Sequence, residues 1–145
     1  MQEGGKDIKK KIIWFAMGLI ILIIVAVPIG FFYVLYNGNP YTNYIADKNV
    51  PVYLEEKGYT ENDIVESHYV EPKHIINNDF YQGHYMVIFQ EEPDVTYYYG
   101  ITKNGKQVMQ FCEKDKLSAD GVTDIVETET KYSEKKCVNS LDNRN

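Results

Sequence analysis

The order of apolar and polar positions divides the chain in two. From Ile12 to Tyr36 no residue carries a charge, and only Gly18, Pro28 and Gly30 interrupt the hydrophobic side chains. A helix over those 25 residues rises about 37 Å, enough to cross a hydrocarbon layer of about 30 Å with some tilt. Trp14 and Phe15 at one end and Tyr33 and Tyr36 at the other stand where aromatic rings settle at headgroup level. Pro28 removes one backbone donor, which membrane helices accommodate by a local bend.

After Tyr36 the pattern becomes that of a small domain. Asn37 to Pro40 break the helix. Tyr41, Tyr44, Ile45, Val50, Val52, Tyr53 and Leu54 then recur loosely at a helical period, with Thr42 or Asn43 as cap. Pro51 predicts either a bend or a joint between two short helices, and Lys57-Gly58 closes the segment. Strands follow. Residues 64–70 alternate weakly, and residues 81–90 set Tyr85, Val87 and Phe89 against His84, Met86 and Ile88. Val95, Tyr97, Tyr99 and Ile101 alternate with Thr96, Tyr98 and Gly100. Asn104-Gly105 predicts a hairpin turn with residues 107–112 returning. A helix followed by an antiparallel meander of about four strands is an α+β fold with the helix on one face of the sheet. Ser118 to Gly121 is a turn, residues 122–136 fit either helix or strand, and the polar residues 139–145 are expected to fray.

Charge gives this division an orientation. Lys6, Lys9, Lys10 and Lys11 precede the apolar run, whereas the first cation after it is Lys48. The positive-inside rule therefore places residues 1–11 in the cytoplasm as a basic stub, residues 12–36 across the membrane, and residues 37–138 outside as the α+β domain. The apolar run outlasts the core of a secretory signal, about 7 to 15 residues, so it reads as an uncleaved anchor, with cleavage after Ala26 as the alternative. The stub is formally +2 and the part beyond Tyr36 formally −8, within a total of −6. An acidic outer domain repels phosphate backbones, which argues against nucleic acid and leaves the bilayer, through Ile12 to Tyr36, and an envelope protein as partners.

A short basic N-terminus, one membrane helix, Asn39-Pro40, the helical stretch Tyr53-Leu54-Glu55-Glu56-Lys57-Gly58-Tyr59, and Tyr85-Met86-Val87-Ile88-Phe89 before Glu92-Pro93 together resemble the Firmicutes family called domain of unknown function 3139. The likeness covers roughly Lys6 to Phe111; Pro51 and the segment through Cys137 depart from the family's pattern. The resemblance implies a Gram-positive bacterium and an extracytoplasmic domain, and it brings no activity, cofactor or site residue with it.

Candidate chemistry is sparse. Cys112 and Cys137 both fall on the outer side, where a disulfide closing a loop of about 25 residues is one reading and two unpaired structural thiols the other. His68, His74 and His84 match no compact zinc motif, although His68 and His84 would approach each other if the first two strands pair, with Glu66, Glu71 or Asp79 as further ligands. Glu91, Glu92 and Asp94 sit beside Pro93 in a turn whose tip faces water. Neither a nucleophile elbow nor a phosphate-cradling glycine loop is present, and Gly4-Gly5 belongs to the stub. Tyrosine is more distinctive: 13 in total, with Tyr97, Tyr98 and Tyr99 consecutive in one strand. Alternation sends Tyr98 to the face opposite its neighbours, so the trio reads either as a recognition surface or as half-buried sheet packing.

Three features narrow the envelope roles. No cysteine stands directly after the apolar run to carry a lipid, the run lacks the acidic residue of a pilin, and the tail ends without a sorting signal. Gly18 and Gly30 are not spaced for tight helix pairing. The sequence thus reads as a non-enzymatic, cofactor-free protein- or peptide-binding or modulatory module of the cell envelope. An envelope hydrolase or redox or metal-binding protein is the alternative, and a structural or assembly subunit a third.

Overall fold

A computed structural model describes residues 3–145, with side chains from residue 7 onward. Met1 and Gln2 of the basic stub, and the side chain of Lys6, lie outside the described residues. The chain separates into two compact units, Met1–Asn37 and Gly38–Asn145.

The first unit is one helix, α1 (Glu3–Asn37), which takes in the backbone of Gly4 and Gly5 and continues past Pro28. Its segment Asp7–Asn37 is long and apolar enough to cross a membrane. Gly38, at φ 75°, follows its last residue, the left-handed conformation that ends many helices.

The second unit is α+β: one helix packed on a six-stranded antiparallel sheet. Helix α2 (Pro40–Glu56) starts earlier than its periodicity predicts, because Asn39, not Thr42 or Asn43, is the cap. The Asn39 side chain accepts from Tyr41 N–H at 2.9 Å, and Pro40 follows at a position that needs no donor. Pro51 leaves α2 a single continuous helix. The carbonyl deprived of its donor is that of Asp47, an exposed residue whose oxygen water can serve. Gly58, at φ 92°, closes α2 with paired bonds, Gly58 N–H to Glu55 O at 2.9 Å and Tyr59 N–H to Leu54 O at 3.0 Å.

The strands are β1 (Ile64–Val70), β2 (His84–Phe89), β3 (Val95–Ile101), β4 (Val108–Gln110), β5 (Lys114–Leu117) and β6 (Thr123–Val126). Their order is β1-β2-β3-β5-β6, with β4 also pairing β3. The alternation in β2 and β3 puts Tyr85, Val87, Phe89, Val95, Tyr97, Tyr99 and Ile101 on one face, where they pack with Ile45, Ala46, Val50 and Leu54 of α2. The β3–β4 turn departs from a simple Asn-Gly pair: its positive-φ residues are Gly105 and Lys106.

The sheet has six strands instead of about four because residues 114–126 form a further hairpin around the Ser118 to Gly121 turn. The strand β5 reads Lys-Asp-Lys-Leu, a charged run without hydrophobic alternation. Lys114 is nevertheless only 2% exposed, its ammonium donating to Cys112 O at 2.9 Å. Residues 127–136 add no further strand.

The tail expected to fray is folded onto the domain. Val138 bridges Phe111 in parallel, Asn77 N–H donates to Ser140 O at 2.7 Å, and Asn78 N–H to Asn143 O at 3.0 Å. Polar residues hold this segment, and they do so through backbone groups that hydropathy does not register.

Candidate functional site

The sheet face opposite α2 is only partly covered. Phe80 and Phe111 pack there with Ile76 as a second small core, directly over Gly100, where a Cβ would lie 2.8 Å from Phe80 Cδ1 and closer still to Phe111. Beside that core lies an open cleft of about 640 Å³, in the size range of small-ligand sites. Strand alternation supplies its floor: His84 from β2, Tyr98 from β3 and Asp115 from β5, with Glu113 just before β5 on the same face. Residues 70–74 form one wall, and Ser140, Leu141 and Arg144 of the tail form another.

His84 is 8% exposed. Its ring lies 5.2 Å from that of Tyr98 and 5.0 Å from that of Phe111, centroid to centroid. Burial among these rings, reinforced by the nearby His74 at 6.3 Å, lowers its pKa to about 4, because the imidazolium would lose its hydration. Its Nε2 is buried and has no partner. Glu113 is 7% exposed; Oε2 accepts from Ser140 N–H at 3.0 Å, whereas Oε1 is buried and unpartnered. Tyr98 donates its hydroxyl proton to Asp115 Oδ2 at 2.8 Å. Burial and that carboxylate push the phenol well above its ordinary value.

Of the consecutive tyrosines, only Tyr98 belongs to this cleft. Tyr97 and Tyr99 are 0% and 1% exposed, so they are core and not a recognition surface: alternation turns both toward α2. Tyr97 donates to Glu92 and meets Thr130 Oγ1 at 2.5 Å, and Tyr99 accepts from Gln110 Nε2 at 3.0 Å. Glu92 is thus a tether for the core and not a solvated tip, while its neighbour Glu91 pairs with Lys131. Cys112 and Cys137 are joined in a disulfide with Cα atoms 5.0 Å apart.

The histidines do not assemble as a metal site. His68 lies opposite Met86 and His84 opposite Val70, and His68 instead approaches Glu66 at 3.3 Å on the exposed face. Among the described residues no group of three or more His, Cys, Asp or Glu side chains is placed to hold a metal ion. Sequence reasoning missed Glu113 and Asp115. Their spacing of two is the signal that shares a strand face, but it becomes legible only once residues 114–117 are recognised as a strand.

An apolar N-terminal helix followed by a disulfide-closed α+β unit defines the class: a secreted or membrane-anchored extracytoplasmic domain. Residues 10–99, more than half of the chain, match the family described as protein of unknown function DUF3139, and the chain belongs to that family. The match takes in α2 and β1 to β3 up to Tyr99, with His84 and Tyr98 inside it and Glu113, Asp115, the disulfide and the tail beyond it. Neither a curated protein nor a solved structure matches the chain.

Proposed function

We propose that this chain is a single-pass envelope protein whose outer domain, residues 37–138 with its tail, binds a protein or peptide or modulates a neighbouring membrane complex, without catalysing a reaction itself. The observation that carries this reading is the open cleft on the sheet face away from α2, which holds two buried polar atoms without partners, His84 Nε2 and Glu113 Oε1. Buried polar atoms without protein partners, on the lining of a cavity of ligand size, are groups whose hydrogen bonding a ligand could complete. The lysines before Ile12, with no further cation until Lys48, support a cytoplasmic N-terminus, and the length of the run from Ile12 to Tyr36 supports an uncleaved anchor.

Two measurements test it. Protease added outside spheroplasts is expected to remove the outer domain while leaving an N-terminal tag protected; protection of the whole chain overturns the topology. A photo-crosslinking residue at Ile125, 69% exposed in the cleft lining, is expected to give a discrete adduct in cells, and one at Tyr44 on α2, 63% exposed, is not. Equal labelling from both positions, or from neither, removes the cleft as a binding surface.

A further inference from the structure

We propose that the cleft takes a basic side chain, an ammonium or guanidinium group on an aliphatic stem, presented by an extracytoplasmic peptide or protein. The inference deepens the binding-module reading and rests on it.

The lining carries the carboxylates of Glu71, Glu113 and Asp115 against Lys73 and Arg144, and the two charges that are not fully exposed, Glu113 and Asp115, are both negative. Glu113 and Asp115 share a face of one extended segment, about 7 Å apart by strand geometry. Asp115 already accepts from Tyr98. Glu113 is only 7% exposed, and its single described bond, from Ser140, satisfies Oε2 alone. A buried carboxylate oxygen with no donor is costly; Oε1 itself is closed to solvent, so a donor in the cleft meets it as the Glu113 side chain turns outward, and a cationic donor relieves the cost more fully than a neutral one.

The surrounding groups favour the same occupant. His84 stays uncharged at neutral pH, since burial lowers its pKa to about 4, so it neither neutralises Glu113 nor repels an incoming cation. Lys114, between the two acids in sequence, donates to Cys112 O; the Glu113 charge acts on its ammonium through space, but no hydrogen bond joins the two. Lys73 and Arg144 line the cleft only as exposed residues, where solvent screens them. Tyr98, Phe111, Ile125 and Leu141 supply ring faces and apolar surface for the stem of a lysine or arginine. The formally −8 outer part favours the approach of a basic partner.

The test uses the full chain in detergent micelles and the ring signals of its three histidines. His84 and His74 report on the cleft; His68, on β1 and outside the lining, is the internal control. The probes are three end-blocked pentapeptides, alanine with a central lysine, norleucine or glutamate. The lysine peptide is expected to move the His84 signal saturably and leave His68 still. Its affinity is expected to exceed that of the norleucine peptide at least tenfold and to fall at least tenfold in Glu113→Gln. Where Glu113→Gln disturbs the fold, read from the His68 signal, Asp115→Asn is expected to show the same loss. Equal binding of the norleucine peptide, tighter binding of the glutamate peptide, or undiminished binding by the carboxylate variants overturns the proposal. If no peptide moves His84 while the Ile125 adduct still forms, the basic side chain is wrong and the binding module stands. If the adduct fails as well, both readings fall.

Discussion

Ser140 donates its backbone N–H to Glu113 Oε2 at 3.0 Å across 27 positions of chain, and both residues are buried, at 4% and 7% exposure. The polar tail is therefore a wall of the domain, since the same residue's carbonyl receives Asn77 N–H. Ending the chain after Val138 is expected to destabilise the outer domain by about 2 kcal/mol or more, the scale of a charge-assisted bond lost from a buried carboxylate. Urea unfolding followed by tyrosine near-ultraviolet dichroism measures it. A midpoint unmoved by the truncation would mean that the tail only rests on the surface.

The disulfide acts on the same wall. Cys137 immediately precedes Val138, whose N–H donates to Gln110 O at 3.0 Å and whose carbonyl receives Cys112 N–H at 3.0 Å, so the covalent link and two backbone bonds fasten the tail at one place. Replacing Cys112 and Cys137 together by Ala is expected to cost about 3 kcal/mol for a closed loop of 25 residues. The His84 ring signal is expected to broaden as Leu141 and Arg144 lose their anchorage. Urea midpoints and line widths of the oxidised and double-variant proteins check both, and a broadened signal without a stability change would sever the two effects.

Legibility in the sequence follows the hydrophobic signal. The faces of β2 and β3 were readable because Tyr85, Val87, Phe89 and Val95, Tyr97, Tyr99 alternate over enough residues to exclude a helix. The start of α2 was not, because the periodic residues begin at Tyr41 while the cap, Asn39, precedes them. The strand β5 and the tail were hidden for a common reason. Lys114 is buried through a hydrogen bond to a backbone carbonyl, and Ser140 through bonds of its own backbone, and neither leaves a trace in hydropathy. The cleft inherits that blindness: His84 and Tyr98 stand out as a histidine and a tyrosine on the outer alternation, whereas Glu113 and Asp115 gain meaning only from the strand they share.

Gly100 tests whether the second face is a packed core. Its φ needs no glycine, but Phe80 and Phe111 occupy the space of a side chain, with their rings 5.0 Å apart. Gly100→Ala is expected to destabilise by about 1–3 kcal/mol through overpacking, and Phe111→Leu in the same background to recover part of the loss. The urea midpoints of the single and double variants form the cycle that reads this. Additive losses would show that the two positions do not press on each other.

His84 sets an acid limit on the domain. Its pKa falls from 6.5 unfolded to about 4 folded, through burial first and His74 second. As pH drops, the unfolded chain therefore takes up the proton before the native one. The stability due to a neutral His84 is complete above pH 6.5, declines between 6.5 and about 4, and changes no further below that; across the window the loss is about 3 kcal/mol. His84→Phe keeps a ring between Tyr98 and Phe111 and removes the titration. Its stability relative to the parent is expected to rise by about 3 kcal/mol between pH 7 and pH 4, whatever its offset at pH 7, because carboxylates that titrate in both proteins cancel in the difference. Urea unfolding of parent and variant at pH 7, 5.5 and 4 gives that difference directly. Parallel pH profiles would show that the imidazole reaches water in the native state and that the cleft floor is wetter than its burial indicates.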